Sequence, residues 1–98
     1  MSKKVGKNPA LVAFGAAVRR RRMDEGFSQE AFADACELDR SYMGGVERGE
    51  RNLSLVNIMR VLKGLGVQPS VFFKDLDAPS VAASKKPVPP KKTPSLDP

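Results

Sequence analysis

The side chains of this chain that can do chemistry are cationic and hydrogen-bonding, and they concentrate between residues 40 and 54. Arg40, Ser41 and Tyr42 stand side by side. Gly44 and Gly45 follow, and Arg48, Arg51, Asn52 and Ser54 complete the set. An arginine presents two parallel N–H donors that match the O6 and N7 acceptors of guanine, a pairing worth ~1–3 kcal/mol of discrimination. Hydroxyls and amides of the other types bond phosphate oxygens or base edges. No comparable set exists for covalent, acid–base or metal chemistry. The 98 residues contain no histidine and one cysteine, Cys36. That excludes a histidine general base and a Ser-His-Asp triad, and it excludes a zinc finger. The carboxylates are not paired in any cleft the pattern predicts, so no catalytic residue, metal ligand or cofactor is assigned.

The charge agrees with a polyanionic partner. Seventeen Lys/Arg against eleven Asp/Glu give a net +6. Residues 1–76 carry thirteen of the basic and nine of the acidic residues, so the foldable part is basic without its tail. Such a balance favours nucleic acid, although many proteins reach it without one. A single cysteine allows no intrachain disulfide, which fits a reducing cytoplasm. No apolar run approaches the ~20 residues of a membrane span. The opening MSKKVGKNPA leads into LVAFGAAV, which Arg19 to Arg22 cut off at once, so no signal peptide and no membrane partner are expected.

Five helices must position these residues. Residues 1–8 are expected to form a flexible basic arm. Asn8-Pro9 is a helix start, with Asn as cap and Pro pre-set for the first turn. The first helix then runs from Pro9 to Glu25 with Leu11, Phe14, Val18 and Met23 on one face, and Gly26 ends it. Ser28 caps a second helix, Gln29 to Cys36, whose apolar stripe is Ala31, Phe32 and Ala35; Cys36 reads as a small buried residue on its inner face. Glu37-Leu38-Asp39 is a turn with Leu38 inward. Asp39 caps a third helix, Arg40 to Arg48, stopped by Gly49. Ser54 caps a fourth, Leu55 to Leu65, with Leu55, Ile58, Leu62 and Leu65 as its inward stripe and Gly66 as its stop. A short fifth helix spans Pro69 to Leu76. From Ala78 onward six prolines in twenty-one residues mark a disordered Pro/Lys-rich tail, assigned to residues 77–98. The fold class is therefore all-α, with one compact five-helix domain over residues 9–76.

Two short helices joined by a tight turn, the second opening on Arg40-Ser41-Tyr42, have the layout of a helix-turn-helix, whose second helix lies in the DNA major groove. In that placement Arg40 and Ser41 reach base edges; the competing reading for Arg40 is an ion pair with Asp39 or Glu37. Tyr42 places its hydroxyl on a phosphate or covers the core edge. Gly44 and Gly45 each cost up to ~1 kcal/mol in a helix, which is explained by close approach to DNA or by packing against the second helix. Arg48, Arg51, Asn52 and Ser54 surround the following loop, where phosphate clamping competes with a solvated loop and a simple cap. Of the four consecutive arginines, Arg19 is the phosphate candidate. Val71, Phe72 and Phe73 are too apolar for a helix that only caps a core, so one Phe is expected to pack inward and the rest of the patch, with the fourth helix, to form a two-fold homodimer interface; the competing reading is a monomer with both rings folded in. The tail lysines add weak attraction to DNA or merely solubilise.

Several spaced elements carry a resemblance. Phe14-Gly15, Val18-Arg19 and Arg22 come first, then Gly26-Phe27-Ser28-Gln29-Glu30 with Phe32-Ala33. Val46-Glu47-Arg48-Gly49, Leu62, Leu65-Gly66-Val67 and Phe72-Phe73 follow in order. Over residues 11–76 the chain resembles the lambda-repressor/Cro-like helix-turn-helix family, and within it the controller proteins of restriction–modification systems. The resemblance implies a dimeric regulator of transcription bound to operator DNA. It implies that the Gln29 amide bonds a backbone phosphate and braces the recognition helix. It also implies that Arg22 and Glu47 form an internal, structural ion pair. The alternative is an antitoxin of the same fold, in which the Pro/Lys tail binds a protein partner while the domain represses its own operon.

Overall fold

Four polar side chains set where the helices begin. In the computed structural model, which describes residues 7–76, Asn8 Oδ1 accepts the Ala10 N–H at 2.8 Å and Ser28 Oγ accepts that of Ala31 at 3.0 Å. Asp39 Oδ2 accepts those of Ser41 and Tyr42 at 2.8 and 3.3 Å, and Ser54 Oγ that of Asn57 at 3.1 Å. Each satisfies donors that a helix cannot satisfy itself. The elements they start are α1 (Pro9–Asp24), α2 (Gln29–Cys36), α3 (Arg40–Glu47) and α4 (Leu55–Leu65). A short α5 (Pro69–Lys74) follows without a side-chain cap.

The first four helices end alike. The N–H groups of Phe27, Leu38, Glu50 and Val67 donate to carbonyls five residues back, those of Arg22, Ala33, Gly45 and Leu62, at 2.9 to 3.1 Å. The residue before each of these donors is left-handed: Gly26, Glu37, Gly49 and Gly66, with φ between 60° and 82°. This is the Schellman closure, which usually places an apolar residue just after the left-handed one. Phe27, Leu38 and Val67 obey and pack against the core; Glu50 does not. Glu37 is the only described non-glycine residue with positive φ, at an expected ~1–2 kcal/mol. Its carbonyl accepts a hydrogen bond from Arg60 Nη1 at 3.3 Å.

The core is built from all five helices. Phe14 and Val18 of α1 meet Phe32, Ala33 and Cys36 of α2, Met43 and Val46 of α3, Val61, Leu62 and Leu65 of α4, and Phe72 of α5. Two glycines allow the helices to approach. A Cβ on Gly15 would collide with the Val46 carbonyl oxygen and come within 2.7 Å of the Glu47 one; a Cβ on Gly64 would lie 2.5 Å from Cys36 Sγ. Burial pushes the Cys36 thiol up to about 11, so it stays protonated at neutral pH and packs as a small apolar group. Phe72 sits edge-on to Phe14 at 5.4 Å and to Phe73 at 5.1 Å between ring centroids, which fastens α5 to α1.

Five sequence expectations need correction. α2 buries Phe32, Ala33 and Cys36, while Ala31 and Ala35 are exposed, because α3 and α4 flank the helix and turn its inner face toward the later residues. α4 buries Val61, whereas Leu55, at its first turn with nothing to pack on, is 71% exposed. Met23 is exposed, and the inward position near that end of α1 belongs to Arg22. Phe72, expected on a dimer interface, is 1% exposed and belongs to the core. Lys7, placed in a free basic arm, instead donates from Nζ to the Arg48 carbonyl at 2.9 Å. Residues 1–6 of that arm, and the Pro/Lys tail assigned to residues 77–98, lie outside the described residues. None of the five helices is long and apolar enough to cross a membrane.

The α1–α3 crossing supplies a direct test. Gly15→Ala sets a methyl against backbone that cannot yield, so it is expected to lower stability by about 2–3 kcal/mol. Urea denaturation followed by circular dichroism measures it; an unchanged midpoint would mean that α1 does not lie this close to the end of α3.

Candidate nucleic-acid interface

α3 has eight residues and two very different sides. Met43 and Val46 are buried in the core, and Tyr42 covers its edge. Arg40 and Ser41 are exposed at its first turn. Asp39 fixes that turn by spending its carboxylate on the Ser41 and Tyr42 N–H groups. Arg40 makes no ion pair among the described residues, so the alternative pairing with Asp39 or Glu37 does not form. Its donors face solvent.

Gln29, Arg40, Ser41, Gly44 and Arg48 line one shallow polar concavity. It combines two guanidinium groups, an amide and a hydroxyl, with no carboxylate in the lining. Gly44 explains how it stays open. A Cβ on Gly44 would lie 3.1 Å from Arg48 Nη1 and 3.4 Å from Gln29 Oε1; one on Gly45 would lie 3.0 Å from the Arg51 side chain. Both glycines thus make room for arginines that lie along the outer side of α3. Of the two sequence explanations, packing against α2 applies to Gly44, which faces the Gln29 side chain, and not to Gly45.

Arg51 continues the cationic surface. Its guanidinium lies 5.4 Å from the centroid of the Tyr42 ring, a cation–π contact. Asn57 Nδ2 donates to the Tyr42 hydroxyl at 3.1 Å, which occupies an acceptor of that oxygen and leaves its O–H free to donate. Asn57 carried no sequence signal beyond its place one turn after Ser54. Asn52 is exposed in the loop, and the Ser54 oxygen accepts the Asn57 N–H as a cap. Arg19 stands apart. It is exposed on α1 and borders a groove that Ala16, Met23 and Glu47 also line, not the concavity around Arg40. Val71 and Phe73 are exposed on α5, as are Leu55, Val56 and Met59 on α4.

Beneath the concavity lies a buried ionic network. Arg22 and Glu47 are each 8% exposed. Arg22 Nε donates to Glu47 Oε2 at 2.6 Å and Nη2 to Oε1 at 3.0 Å, a two-pronged pair. Arg22 Nη1 donates to the Phe27 carbonyl at 2.7 Å, and Gln29 Nε2 to Glu47 Oε1 at 3.0 Å. One carboxylate at the end of α3 therefore joins α1, the α1–α2 turn and the first residue of α2. A negative charge at a helix C-terminus opposes the helix dipole, and the arginine offsets it.

Breaking one partner of such a pair leaves a buried charge alone. Glu47→Gln is expected to lower stability by ~3–5 kcal/mol, read as a drop in Tm. DNA affinity of the fraction that remains folded at low temperature is expected to fall far less. A variant with wild-type Tm but no DNA binding would instead make Glu47 part of the contact surface.

Comparison with known proteins agrees with this geometry. Residues 13–71 match the helix-turn-helix domain family. Control protein C.MunI of a Mycoplasma species is 38% identical over 71 residues, 71% of this chain and 96% of that protein. Control protein C.BamHI of Bacillus amyloliquefaciens is 46% identical over 63 residues, 63% of this chain and 78% of its own. The crystal structure of the restriction–modification controller protein C.AhdI from Aeromonas hydrophila superimposes with a TM-score of 0.62 at 51% identity, over 64% of this chain and 96% of that one. The chain belongs to the helix-turn-helix family of restriction–modification control proteins.

Proposed function

We propose that this protein is a homodimeric, sequence-specific DNA-binding regulator of transcription that acts in the bacterial cytoplasm and controls a restriction–modification operon. The observation that carries the reading is the outer side of α3. Arg40, Ser41 and Arg48 share one acid-free concavity with Gln29 over Gly44. Arg40 and Ser41 read base edges, and Gln29, Tyr42, Arg48, Arg51 and Asn52 hold phosphates. Ser54 and Arg19 contribute at the margins, Ser54 through its hydroxyl and Arg19 through charge. A related controller protein, C.Esp1396I, 35% identical, has been solved as a tetramer in complex with its natural 35 base-pair operator, which supports the same mode here. No reaction is assigned to the chain.

The exposed apolar side chains support the dimer. Leu55, Val56 and Met59 on α4, with Val71 and Phe73 on α5, are a large exposed share for so small a domain. Pairing them across a two-fold axis removes them from water and sets two α3 helices to read half-sites about 34 Å apart.

Two measurements test this reading. Selection of bound fragments from genomic DNA with the purified protein is expected to return a palindromic motif. Arg40→Ala should lose ~1–3 kcal/mol of specific binding and relax one position in each half-site. If the wild type enriches no motif and binding only fades with salt, the specific-regulator reading fails and a partner-binding, antitoxin-like role replaces it. Sedimentation at tens of micromolar is expected to give twice the 10.6 kDa monomer mass, and Met59→Glu to return the monomer. A monomeric wild type would sink the two-fold arrangement.

A further inference from the structure

Glu50 is out of place twice over. It follows the left-handed Gly49 at the end of α3, where α1, α2 and α4 carry the apolar Phe27, Leu38 and Val67. It is also a carboxylate beside the cationic surface that is to meet DNA, where a negative charge should repel. Its contacts resolve both points. Glu50 Oε1 accepts from Arg48 Nε at 3.1 Å, and Oε2 lies 3.6 Å from Lys7 Nζ. Lys7 Nζ also donates to the Arg48 carbonyl at 2.9 Å, closing a ring of three residues around the last turn of α3. The Arg48 hydrogen bond, and then the charges of Arg48 and Lys7, hold the Glu50 carboxyl below the ordinary range. The three side chains together carry one net positive charge, so the carboxylate is neutralised within its own cluster.

The direction of the Arg48 contact matters most. The carboxylate takes the Nε–H, and neither terminal nitrogen has a hydrogen-bond partner among the described residues. Nη1 then lies 3.1 Å from where a Cβ on Gly44 would be, inside the concavity shared with Gln29, Arg40 and Ser41. An exposed arginine ordinarily samples many rotamers; this one is held from behind and given space in front. We propose that Glu50 is a positioning residue that, together with Lys7, aims the free end of Arg48 into the concavity to grip a DNA backbone phosphate. This rests on the DNA-binding reading above and adds to it a residue that charge alone would count against binding. The cluster is exposed, so it contributes little to stability, and its variants are expected to remain folded.

The test measures binding of the full chain to a duplex that the wild type has selected, across a salt series. Glu50→Ala is expected to bind about 3- to 10-fold more weakly and to reduce the salt slope by about one phosphate, although it removes a repelling charge. Glu50→Gln, which keeps an acceptor for Nε, is expected to hold the wild-type slope. In an Arg48→Ala background, Glu50→Ala is expected to cause no loss. Glu50→Ala binding as tightly as the wild type or more tightly would overturn the proposal and leave Glu50 a mere repelling charge. So would an equal loss with and without Arg48. Both results would leave the DNA-binding reading standing, whereas a wild type that selects no duplex would remove that reading and this one with it.

Discussion

The arrangement depends on one buried carboxylate. Glu47 accepts three hydrogen bonds from two side chains, both N–H prongs of Arg22 and the amide of Gln29. Taking a carboxylate and a guanidinium out of water is expensive, and their attraction offsets that only when the geometry is good and the remaining donors are satisfied. Both conditions hold, since the third arginine nitrogen finds the Phe27 carbonyl. Apolar residues of similar size could fill the same space. They could not set the direction of Gln29, the first residue of α2, relative to the end of α3. The network therefore fixes orientation more than it adds stability, and it does so for the two elements that frame the concavity.

The same economy governs the surface above it. In α3 the core takes Met43 and Val46, and the network takes Glu47. Arg40, Ser41 and Arg48 are left with no inward task, and Gly44 and Gly45 lie buried beneath the Arg48 and Arg51 side chains. Two central glycines in an eight-residue helix are poor for helix formation, and α3 tolerates them because other interactions determine its conformation. Asp39 caps its start, the Schellman closure over Gly49 fixes its end, and Gly15 lets the backbone of α1 rest against its last residues. With the backbone held from both ends and from below, the outer side can lose side-chain bulk and carry arginines instead.

What was legible in the sequence was what is decided locally. Asn8, Ser28, Asp39 and Ser54 bond to N–H groups two or three residues away, so their roles are visible in a short window. Arg40 and Ser41 follow from Asp39 by position alone. Helix faces are different, because the partner helix chooses among adjacent candidates. Ala33 is buried instead of Ala31 and Ala35 because α3 and α4 flank α2, and Val61 instead of Leu55 because α4 packs from its middle onward. Phe72 and Phe73 are neighbours of equal hydrophobicity and both lie against Phe14, so only the packed fold distinguishes the enclosed Phe72 from the exposed Phe73. The contacts of Glu50 were the least legible. Nothing in Glu-Arg-Gly-Glu separates a solvated loop from a ring closed by Lys7, forty-three residues earlier in the chain.

A two-fold reader of DNA also needs its dimer face and its recognition helix to be rigidly related, because an error in half-site spacing cannot be corrected by better contacts. α1 supplies that relation. Toward α3 it offers Gly15, where the backbones touch, and Arg22, which holds Glu47. Toward α5 it offers Phe14, edge-on to Phe72 and stacked against Phe73. It also offers Arg21, whose guanidinium lies 5.6 Å from the Phe72 centroid and 3.3 Å from the Asp75 carboxylate. Consecutive arginines thus serve opposite ends of the domain. Arg21 fastens the helix that carries Val71 and Phe73, and Arg22 fastens the helix that carries Arg40 and Ser41. The run from Arg19 to Arg22 resembles a basic patch in the sequence, but its last two members join the proposed interface to the proposed reading surface, and only Arg19 and Arg20 remain exposed to a polyanion.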